Sequence, residues 1–306
     1  MSGAPAEGLE RRHVHPAPVV DGRPAPNGAA GRLRRQFQRF LVSEREREEA
    51  ELERRIRAQP AVTRPNTIAV ISPKGGVGKT TSTFIAGNLL AGHLNLRAIA
   101  VDANPDFGTL ARLAPDGRRS ERSLADLLAN ADRLRTAAEL TPYVSRLPTG
   151  LHVLGAPRDA ELTASLGPER YGELVAFLGT FYEVVLLDLG TGVADPLARF
   201  AIDRADQVVL VTTPEWVTST VVLEALSYVQ HSHTTVAINK SQLGSAVVDA
   251  IEDRFRAEHL HRAVTIPFDE RLATMRDCGT YALEALGRRT RLAVKRLGLA
   301  VADQLV

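Results

Sequence analysis

The sequence predicts an α/β fold, with a doubly wound, mostly parallel sheet and helices on both of its faces. Short apolar runs rich in β-branched residues recur along the chain, and helical segments lie between them. A glycine-rich loop follows the first of these runs, at residues 74–81. Strands that are apolar along their whole length indicate a parallel sheet buried on both faces, and the helical segments supply right-handed crossovers.

The composition is that of an ordinary globular protein. Of the 306 residues, 44% are hydrophobic and 24% are charged, which suits one large domain with an appendage. Cys278 is the only cysteine, so a disulfide within the chain and a multi-cysteine metal site are excluded and a reduced, cytoplasmic setting is expected. We expect neither a membrane span nor a secretory leader, because no suitable apolar run is present. The formal net charge is +2, so affinity for nucleic acid or membrane requires local patches.

Two segments precede the predicted domain. Residues 1–31 are mostly Ala, Pro, Gly and Arg, and we expect a flexible tail. Residues 32–60 predict a charged amphipathic helix, whose apolar face comprises Leu33, Phe37, Phe40 and Leu41. That face could contact a partner protein, an anionic membrane, a second copy or its own domain. The charged run from Glu44 to Arg57 predicts a solvated helix with i,i+4 ion pairs, and the globular domain is expected over residues 66–306.

The elements of the domain alternate along the chain. The predicted strands cover residues 67–72, 97–102, 151–154, 183–188, 207–212 and 235–239, with a weaker one at 263–266. The predicted helices run from the glycine-rich loop to about residue 93 and then over residues 124–128, 170–178, 196–202, 217–231 and 245–257. A last helix carries the apolar residues from Leu283 to Val301.

The glycine-rich loop predicts a phosphate-binding site. It comprises Lys74, Gly75, Gly76, Val77, Gly78, Lys79, Thr80 and Thr81. Glycines let backbone N–H groups turn towards a phosphate, and the N-terminus of the following helix attracts the same anion. Lys79 is expected to reach the β- and γ-phosphates, and Thr80 is expected to ligate Mg²⁺. Pro73 stands in place of the first glycine of the usual pattern.

The early lysine makes the loop more specific. Lys79 already serves the nucleotide of its own chain, so Lys74 has no necessary role there. With this lysine, the loop resembles that of the deviant Walker A ATPases, the MinD and ParA group. The resemblance covers most of the chain from about Asn66. It implies a P-loop NTPase fold, ATP and Mg²⁺ as ligands, and an ATP-dependent homodimer in which Lys74 crosses to the partner's phosphates.

Two further segments resemble the switch regions of that family. Asp188 ends an apolar strand and matches the carboxylate that holds Mg²⁺, usually through water, and residues 189–192 resemble switch II. Residues 102–106 resemble switch I, but Asn104 replaces the carboxylate that commonly orients the attacking water. Either Asp106 supplies that carboxylate, or hydrolysis is slow and a partner assists.

The adenine pocket is expected at two neighbouring strand ends. The side-chain amide of Asn239 offers a donor and an acceptor that match the edge of adenine, and the family uses an Asn at this strand end. Pro267 begins the loop that commonly completes the base pocket. Strand termination is the alternative role for Asn239.

The basic C-terminal helix has three open interpretations. Its cations are Arg288, Arg289, Arg291, Lys295 and Arg296. In the family, basic residues near the C-terminus bind DNA without sequence preference. The helix could instead pack on the core with a solvated basic face, or lie on a membrane surface. The protein is accordingly expected in the cytoplasm, associated with the nucleoid or peripheral to the inner face of the membrane.

The resemblance implies an ATPase that switches between monomer and dimer and positions or partitions a cargo. The cargo could be a chromosome, a plasmid, or division or secretion machinery, with an activating partner of unknown identity. Residues 100–106 and 188–192 resemble actinobacterial MinD-like ATPases associated with type VII secretion. The alternative is a slow or non-hydrolysing scaffold locked by nucleotide, or an accessory ATPase of type VII secretion.

Overall fold

The computed structural model describes residues 44, 46–58, 61–104, 109–229, 233–242, 246–258, 260 and 262–306. The chain divides into two compact units, Met1–Arg47 and Glu48–Val306. Within the first unit only residues 44, 46 and 47 are described, and they are helical. The predicted tail and the predicted face at Leu33–Leu41 therefore lie outside the described residues.

The second unit contains one eight-stranded sheet. Its strands are β1 (Asn66–Ser72), β2 (Ala98–Ala103), β3 (Ser145–Arg146), β4 (His152–Leu154), β5 (Val184–Thr191), β6 (Gln207–Thr212), β7 (Thr234–Ser241) and β8 (Ala263–Pro267). Their order across the sheet is β3-β4-β2-β5-β1-β6-β7-β8. All neighbouring strands are parallel except β3, which pairs antiparallel with β4. The predicted α/β fold class is confirmed.

Helices cover both faces of this sheet. The first, α1, covers residues 48–58. The others are α2 (Lys79–Gly92), α3 (Leu124–Leu128), α4 (Ala160–Ser165), α5 (Pro168–Leu178), α6 (Pro196–Arg204), α7 (Trp216–Ala225), α8 (Ala246–Ala257), α9 (Glu270–Asp277) and α10 (Arg288–Ala302). The helix predicted over 217–231 ends at Ala225, where a 3₁₀ turn over Leu226–Tyr228 follows. Among the described helices, none has both the length and the apolar character that a membrane span requires.

The strands contribute to two apolar cores because alternate side chains point to opposite faces. In β1, Ile68 and Val70 join the core that contains residues of α1, α2 and α10. Ala69 and Ile71 of the same strand join the core that contains residues of α3, α5, α6, α7 and α8. Burial on both faces fixes β1 in the middle of the sheet, and this places the loop that follows it.

The charged N-terminal helix differs from its prediction. Rather than being solvated on all sides, α1 buries Leu52 and Ile56, each about 5% exposed. Its acidic side chains pair with the basic side chains of α10: Glu48 with Arg296, Glu49 with Arg288 and Arg291, and Glu53 with Lys295. The compact unit consequently begins at Glu48, whereas the sequence placed the start of the domain at residue 66.

Candidate functional site

The loop between β1 and α2 has the geometry that its glycines predict. Gly76 has φ +73° and Gly78 has φ +102°, a region of backbone conformation that side chains with a Cβ rarely adopt. A Cβ atom on Gly78 would lie 1.9 Å from Nδ2 of Asn239. Gly78 is thus required both by its backbone conformation and by the close approach of β7.

Lys79, Thr80 and Asp188 meet where this loop enters α2. Asp188, in the second half of β5, is 2% exposed. Burial raises the pKa of its carboxyl to about 6, against the opposing effects of a hydrogen bond from the Thr80 hydroxyl, the charge of Lys79 and a hydrogen bond from Thr83. The Lys79 side chain is 9% exposed, and burial lowers its pKa, opposed by Asp188. The motif residues that the sequence assigned to phosphate and metal are therefore neighbours.

The oxygen donors at this point suit Mg²⁺. Magnesium prefers hard oxygen ligands and commonly takes only one or two from the protein, with phosphate oxygens and water completing its shell. Thr80 and Asp188 supply a hydroxyl and a carboxylate. In the described part of the chain, no group of three or more His, Cys, Asp or Glu side chains is arranged around a metal position, so the pair fits a metal shared with phosphate rather than a cage made by the protein.

A second buried carboxylate lies beside the first. Asp102, at the end of β2, is in register with Asp188 on β5, and burial and Asp188 together raise the pKa of Asp102 to about 7. Its Oδ2 accepts a hydrogen bond from the backbone N–H of Leu110 at 2.8 Å. Asp102 thereby anchors the 3₁₀ turn Leu110–Leu113, which follows the segment that resembles switch I. Asp106 lies outside the described residues.

The side chain of Lys74 points in a different direction from that of Lys79. Its Nζ donates to Oε2 of Glu215 at 3.1 Å and to Oγ1 of Thr218 at 2.8 Å, at the start of α7. Hydrogen bonds from Thr218 and Lys74 hold the pKa of Glu215 below its usual value. The Lys74 side chain is 48% exposed. Within one chain, the two lysines of the loop are therefore directed to separate places.

Asn239 holds the loop through its side chain. Its Nδ2 donates to the carbonyl of Val77 at 3.0 Å, and its Oδ1 accepts from the backbone N–H of Lys240 at 2.9 Å. Both ends of the amide are thus engaged within the chain, and each end keeps one further hydrogen-bonding position, a second N–H on Nδ2 and a second lone pair on Oδ1. Pro267 ends β8, in register with Ser241 of β7, the strand that carries Asn239.

A cavity of about 540 Å³ opens over the loop. It is lined by Gly76, Gly78, Lys79, Thr80 and Thr81 of the motif, by Asn104 and Thr191 of the two switch-like segments, and by Thr109, Arg112, Leu113, Lys240, Arg276 and Asp277. Lys240 reaches back to the loop, where its Nζ donates to the carbonyl of Gly76 at 2.6 Å. Lys240 directly follows Asn239 at the predicted strand end, so its position could have been found from the sequence. No local pattern singles out Arg112 or Arg276.

Comparisons with known proteins agree with this geometry. Residues 68–276 match the family model described as the CobQ/CobB/MinD/ParA nucleotide binding domain. The ESX-1 secretion-associated protein EspI of Mycobacterium tuberculosis is 29% identical over 272 residues, which cover 86% of this chain and 40% of that protein. The septum site-determining protein MinD of Bacillus subtilis is 28% identical over 148 residues, 48% of this chain and 53% of that protein. The chain thus spans about half or less of the length of these relatives.

Solved structures show the same fold. A ParA family ATPase from Chlorobium tepidum superposes with a TM-score of 0.62 at 22% identity and covers 77% of this chain and 98% of its own. The cell division ATPase MinD of Pyrococcus furiosus gives a TM-score of 0.62 at 21% identity and covers 78% and 98%. With the matched family model extending over well over half of its length, the chain belongs to the CobQ/CobB/MinD/ParA nucleotide-binding domain family.

Proposed function

We propose that this chain is a slow ATPase that acts as a dimerisation switch controlled by ATP and Mg²⁺. The observation that carries the proposal is the convergence of Lys79, Thr80 and Asp188 beneath a cavity of about 540 Å³, while Lys74 stands apart from them. Phosphoryl transfer requires little covalent participation from the protein, because positioning and charge neutralisation supply most of the catalysis.

The residues of the chain have separate roles in this scheme. Backbone N–H groups of residues 75–81 hold the phosphates, and the Lys79 ammonium neutralises the β- and γ-phosphates. Thr80 and Asp188 would hold Mg²⁺, which when bound neutralises phosphate oxygens and orients the γ-phosphate. We assign Asn239 and Pro267 to the base, and Asp106 or a partner to the orientation of the attacking water.

The switch depends on the release of Lys74 from α7. In the single chain its ammonium is bound by one carboxylate and one hydroxyl, and it is half exposed. An exposed ion pair contributes little, whereas a triphosphate offers several charged oxygens in one place. A second copy that presents its bound ATP to this face therefore competes well for Lys74, and hydrolysis removes the γ-phosphate that draws Lys74 across.

The test separates nucleotide binding from dimerisation. Lys74→Ala is expected to bind Mg·ATP with near wild-type affinity but to stay monomeric by light scattering, because only the contact across the dimer is lost. Lys79→Ala, the matched control in the same loop, is expected to lose nucleotide binding itself. A Lys74→Ala protein that still dimerises with ATP would exclude the proposed role of this lysine.

A nucleotide-locked scaffold is the second candidate function. Asn104 replaces a carboxylate that could take part in water activation, and the relative EspI is named as secretion-associated, which supports an accessory role in type VII secretion. A phosphate-release assay distinguishes the two functions: turnover that rises with a partner, DNA or anionic lipid supports the switch, and absent turnover with retained ATP binding supports the scaffold.

The same phosphate-release assay indicates which kind of surface the protein binds. Stimulation by DNA favours a positioner bound to the nucleoid, and stimulation by anionic vesicles favours a MinD-like membrane positioner. The structure weakens the case for DNA binding by α10 in this arrangement, because Arg288, Arg291, Lys295 and Arg296 are paired with acidic residues of α1. We therefore expect a stimulating partner to be a protein rather than DNA bound at α10.

A further inference from the structure

One wall of the nucleotide cavity is built from two elements that the motif does not include. The turn Leu110–Leu113 and the end of α9 are in contact, and Gly279, just after α9, approaches so closely that a Cβ on it would lie 2.1 Å from the Leu113 carbonyl oxygen. Asp102 fixes the other end of the turn, because its carboxylate accepts a hydrogen bond from the backbone N–H of Leu110. The turn is therefore held in two ways, by close packing against Gly279 and by the hydrogen bond from Leu110 to Asp102.

The Arg276 side chain extends from α9 to the glycine-rich loop. Its Nη1 donates to Oγ1 of Thr81 at 3.2 Å, and its Nε donates to Oδ1 of Asp277 at 2.7 Å. The side chain is 33% exposed, so the guanidinium is held at the rim of the cavity rather than in bulk solvent. Thr81 is part of the first turn of α2, directly beside Lys79 and Thr80.

Arg112 lies on the adjoining turn and lines the same cavity. Its backbone is fixed at two points: its N–H donates to the carbonyl of Thr109 at 3.0 Å, and its carbonyl accepts from Nη2 of Arg119 at 2.8 Å. Arg112 forms no ion pair with any carboxylate of the described residues. Its charge therefore remains available to an anion in the cavity.

The charges that line the cavity are strongly unequal. Among the described residues that line the cavity, Lys79, Arg112, Lys240 and Arg276 contribute cations, and Asp277 contributes the only carboxylate. Such an excess of like charge in one concave site is unfavourable without an anion and favours a polyanionic ligand. A guanidinium adds planar, two-pronged hydrogen bonding to phosphate, which an ammonium cannot provide.

We propose that Arg276 and Arg112 are phosphate-binding residues, which close over the bound nucleotide from the wall opposite the loop amides. The inference rests on the proposed function and extends it, since it assigns nucleotide contacts to two positions outside the motif. Arg276 contacts the phosphates that ADP and ATP share, because it reaches the cavity beside Thr81 at the start of α2. Asp277 holds the Arg276 guanidinium in place when no nucleotide is bound.

The test measures affinity for both nucleotides in the full chain. With a fluorescent ADP and a fluorescent ATP in the presence of Mg²⁺, Arg276→Gln is expected to bind each of them about 10- to 100-fold more weakly, the usual effect of losing a charge-assisted hydrogen bond. Arg276→Lys keeps the charge without the planar fork and is expected to lose less. Arg112→Gln is expected to weaken both nucleotides about tenfold.

Arg271→Gln is the matched control. Arg271 is on the same helix, but its Nη1 donates to the carbonyl of Ala285 at 3.1 Å, and it does not line the cavity. We expect the Arg271→Gln protein to bind both nucleotides with the affinity of the wild type. Thermal unfolding without nucleotide shows whether each variant is folded, and Arg112→Gln supplies a second test because no ion pair is lost in it.

The outcomes separate this inference from the function it rests on. If wild-type protein binds no Mg·nucleotide, the proposed function fails. If the wild type binds but Arg276→Gln and Arg112→Gln bind as tightly as Arg271→Gln, the inference is overturned and the function stands. A loss of dimerisation alone, with unchanged affinity for ADP, also overturns it.

Discussion

At the scale of single residues, His152 shows how a half-buried ring is held neutral. Its Nδ1 lies 2.7 Å from the hydroxyl of Tyr182, and its Nε2 accepts a hydrogen bond from Nε of Arg146 at 3.1 Å. Because a guanidinium can only donate, Nε2 carries no proton, and Nδ1–H donates to Tyr182. Burial and, secondarily, the charge of Arg146 lower the pKa of His152 to about 4.

This arrangement predicts a loss of stability in acid. An unfolded His titrates near pH 6.5, so between that value and about pH 4 the unfolded chain binds one proton more than the folded one. His152→Gln removes this difference, so the free energy of unfolding of the wild type should fall faster than that of the variant as the pH drops from 6.5, by at most about 1.4 kcal/mol per pH unit. Partial exposure of the ring reduces the effect. Urea unfolding at pH 7, 6 and 5 measures it, and parallel curves would contradict it.

The residues of the candidate site differ in how far sequence alone could predict them. Lys79 and Thr80 are contiguous with the glycines whose conformation creates the loop, and Asp188 ends a recognisable apolar run. A local pattern was therefore sufficient to select these three residues as candidates. Arg276 and Arg112 are ordinary surface arginines in the sequence. Only tertiary packing, which brings α9 against the turn at Leu110–Leu113, places them both in the lining of the cavity over the glycine-rich loop.

At the scale of elements, α1 and α10 pack through an apolar stripe flanked by ion pairs. Lys295 is 2% exposed, and its partner Glu53 belongs to α1. Glu49 accepts from Nε of Arg288 at 2.9 Å and from Nη2 of Arg291 at 3.0 Å. The charge pattern of both helices was visible in the sequence, but their pairing was not, because the partners are more than two hundred positions apart.

Removal of one partner of the buried pair is expected to be costly. Glu53→Gln leaves the buried Lys295 ammonium without a carboxylate, and the free energy of unfolding should fall by about 2 kcal/mol, somewhat less than for a fully buried pair. Glu51→Gln is the control, because Glu51 is on the same helix and forms an exposed ion pair with Arg54 of that helix, so this variant should behave like the wild type. Urea unfolding at pH 7 compares them. Equal stability of the two variants would argue against a structural role for the α1–α10 pairs.

Neither α9 nor β3 was predicted from the sequence, and each omission has a physical reason. The α9 sequence is mostly polar, and only Leu272 and Met275 are buried, so it lacks the apolar repeat that predicts a helix. The β3 strand is two residues long, too short for alternation to be visible. Both elements form because tertiary contacts stabilise them, whereas the long apolar strands β1, β5 and β6 were evident from composition alone.

At the scale of the whole molecule, the strand order determines where the site forms. β1 lies between β5 and β6, and the chain leaves β1 for one side of the sheet and β5 for the other. Loops diverge at such a position and leave a crevice at the carboxyl ends of the strands, where open α/β sheets bind ligands. The loop after β1 and Asp188 of β5 meet in that crevice.

Binding there should stabilise the entire fold. A ligand that binds only the folded state adds about 2.7 kcal/mol to the free energy of unfolding at a concentration one hundred times its Kd. Mg·ADP at saturating concentration is therefore expected to raise the Tm of the wild type. Lys79→Ala should show no shift, and EDTA should reduce the shift of the wild type. If both proteins respond equally, the nucleotide binds somewhere other than the loop.

The contact between α1 and α10 also has a consequence for biosynthesis. Glu53 and Lys295 are 242 positions apart, and ribosomes add roughly 5–20 residues per second, so about 12–50 s separate the emergence of one helix from that of the other. Throughout that interval Leu52 and Ile56 lack the apolar side chains that α10 contributes to their core, and Glu48, Glu49 and Glu53 lack their basic partners on α10. The face of α1 that packs on α10 therefore stays uncovered in the nascent polypeptide until α10 has been synthesised.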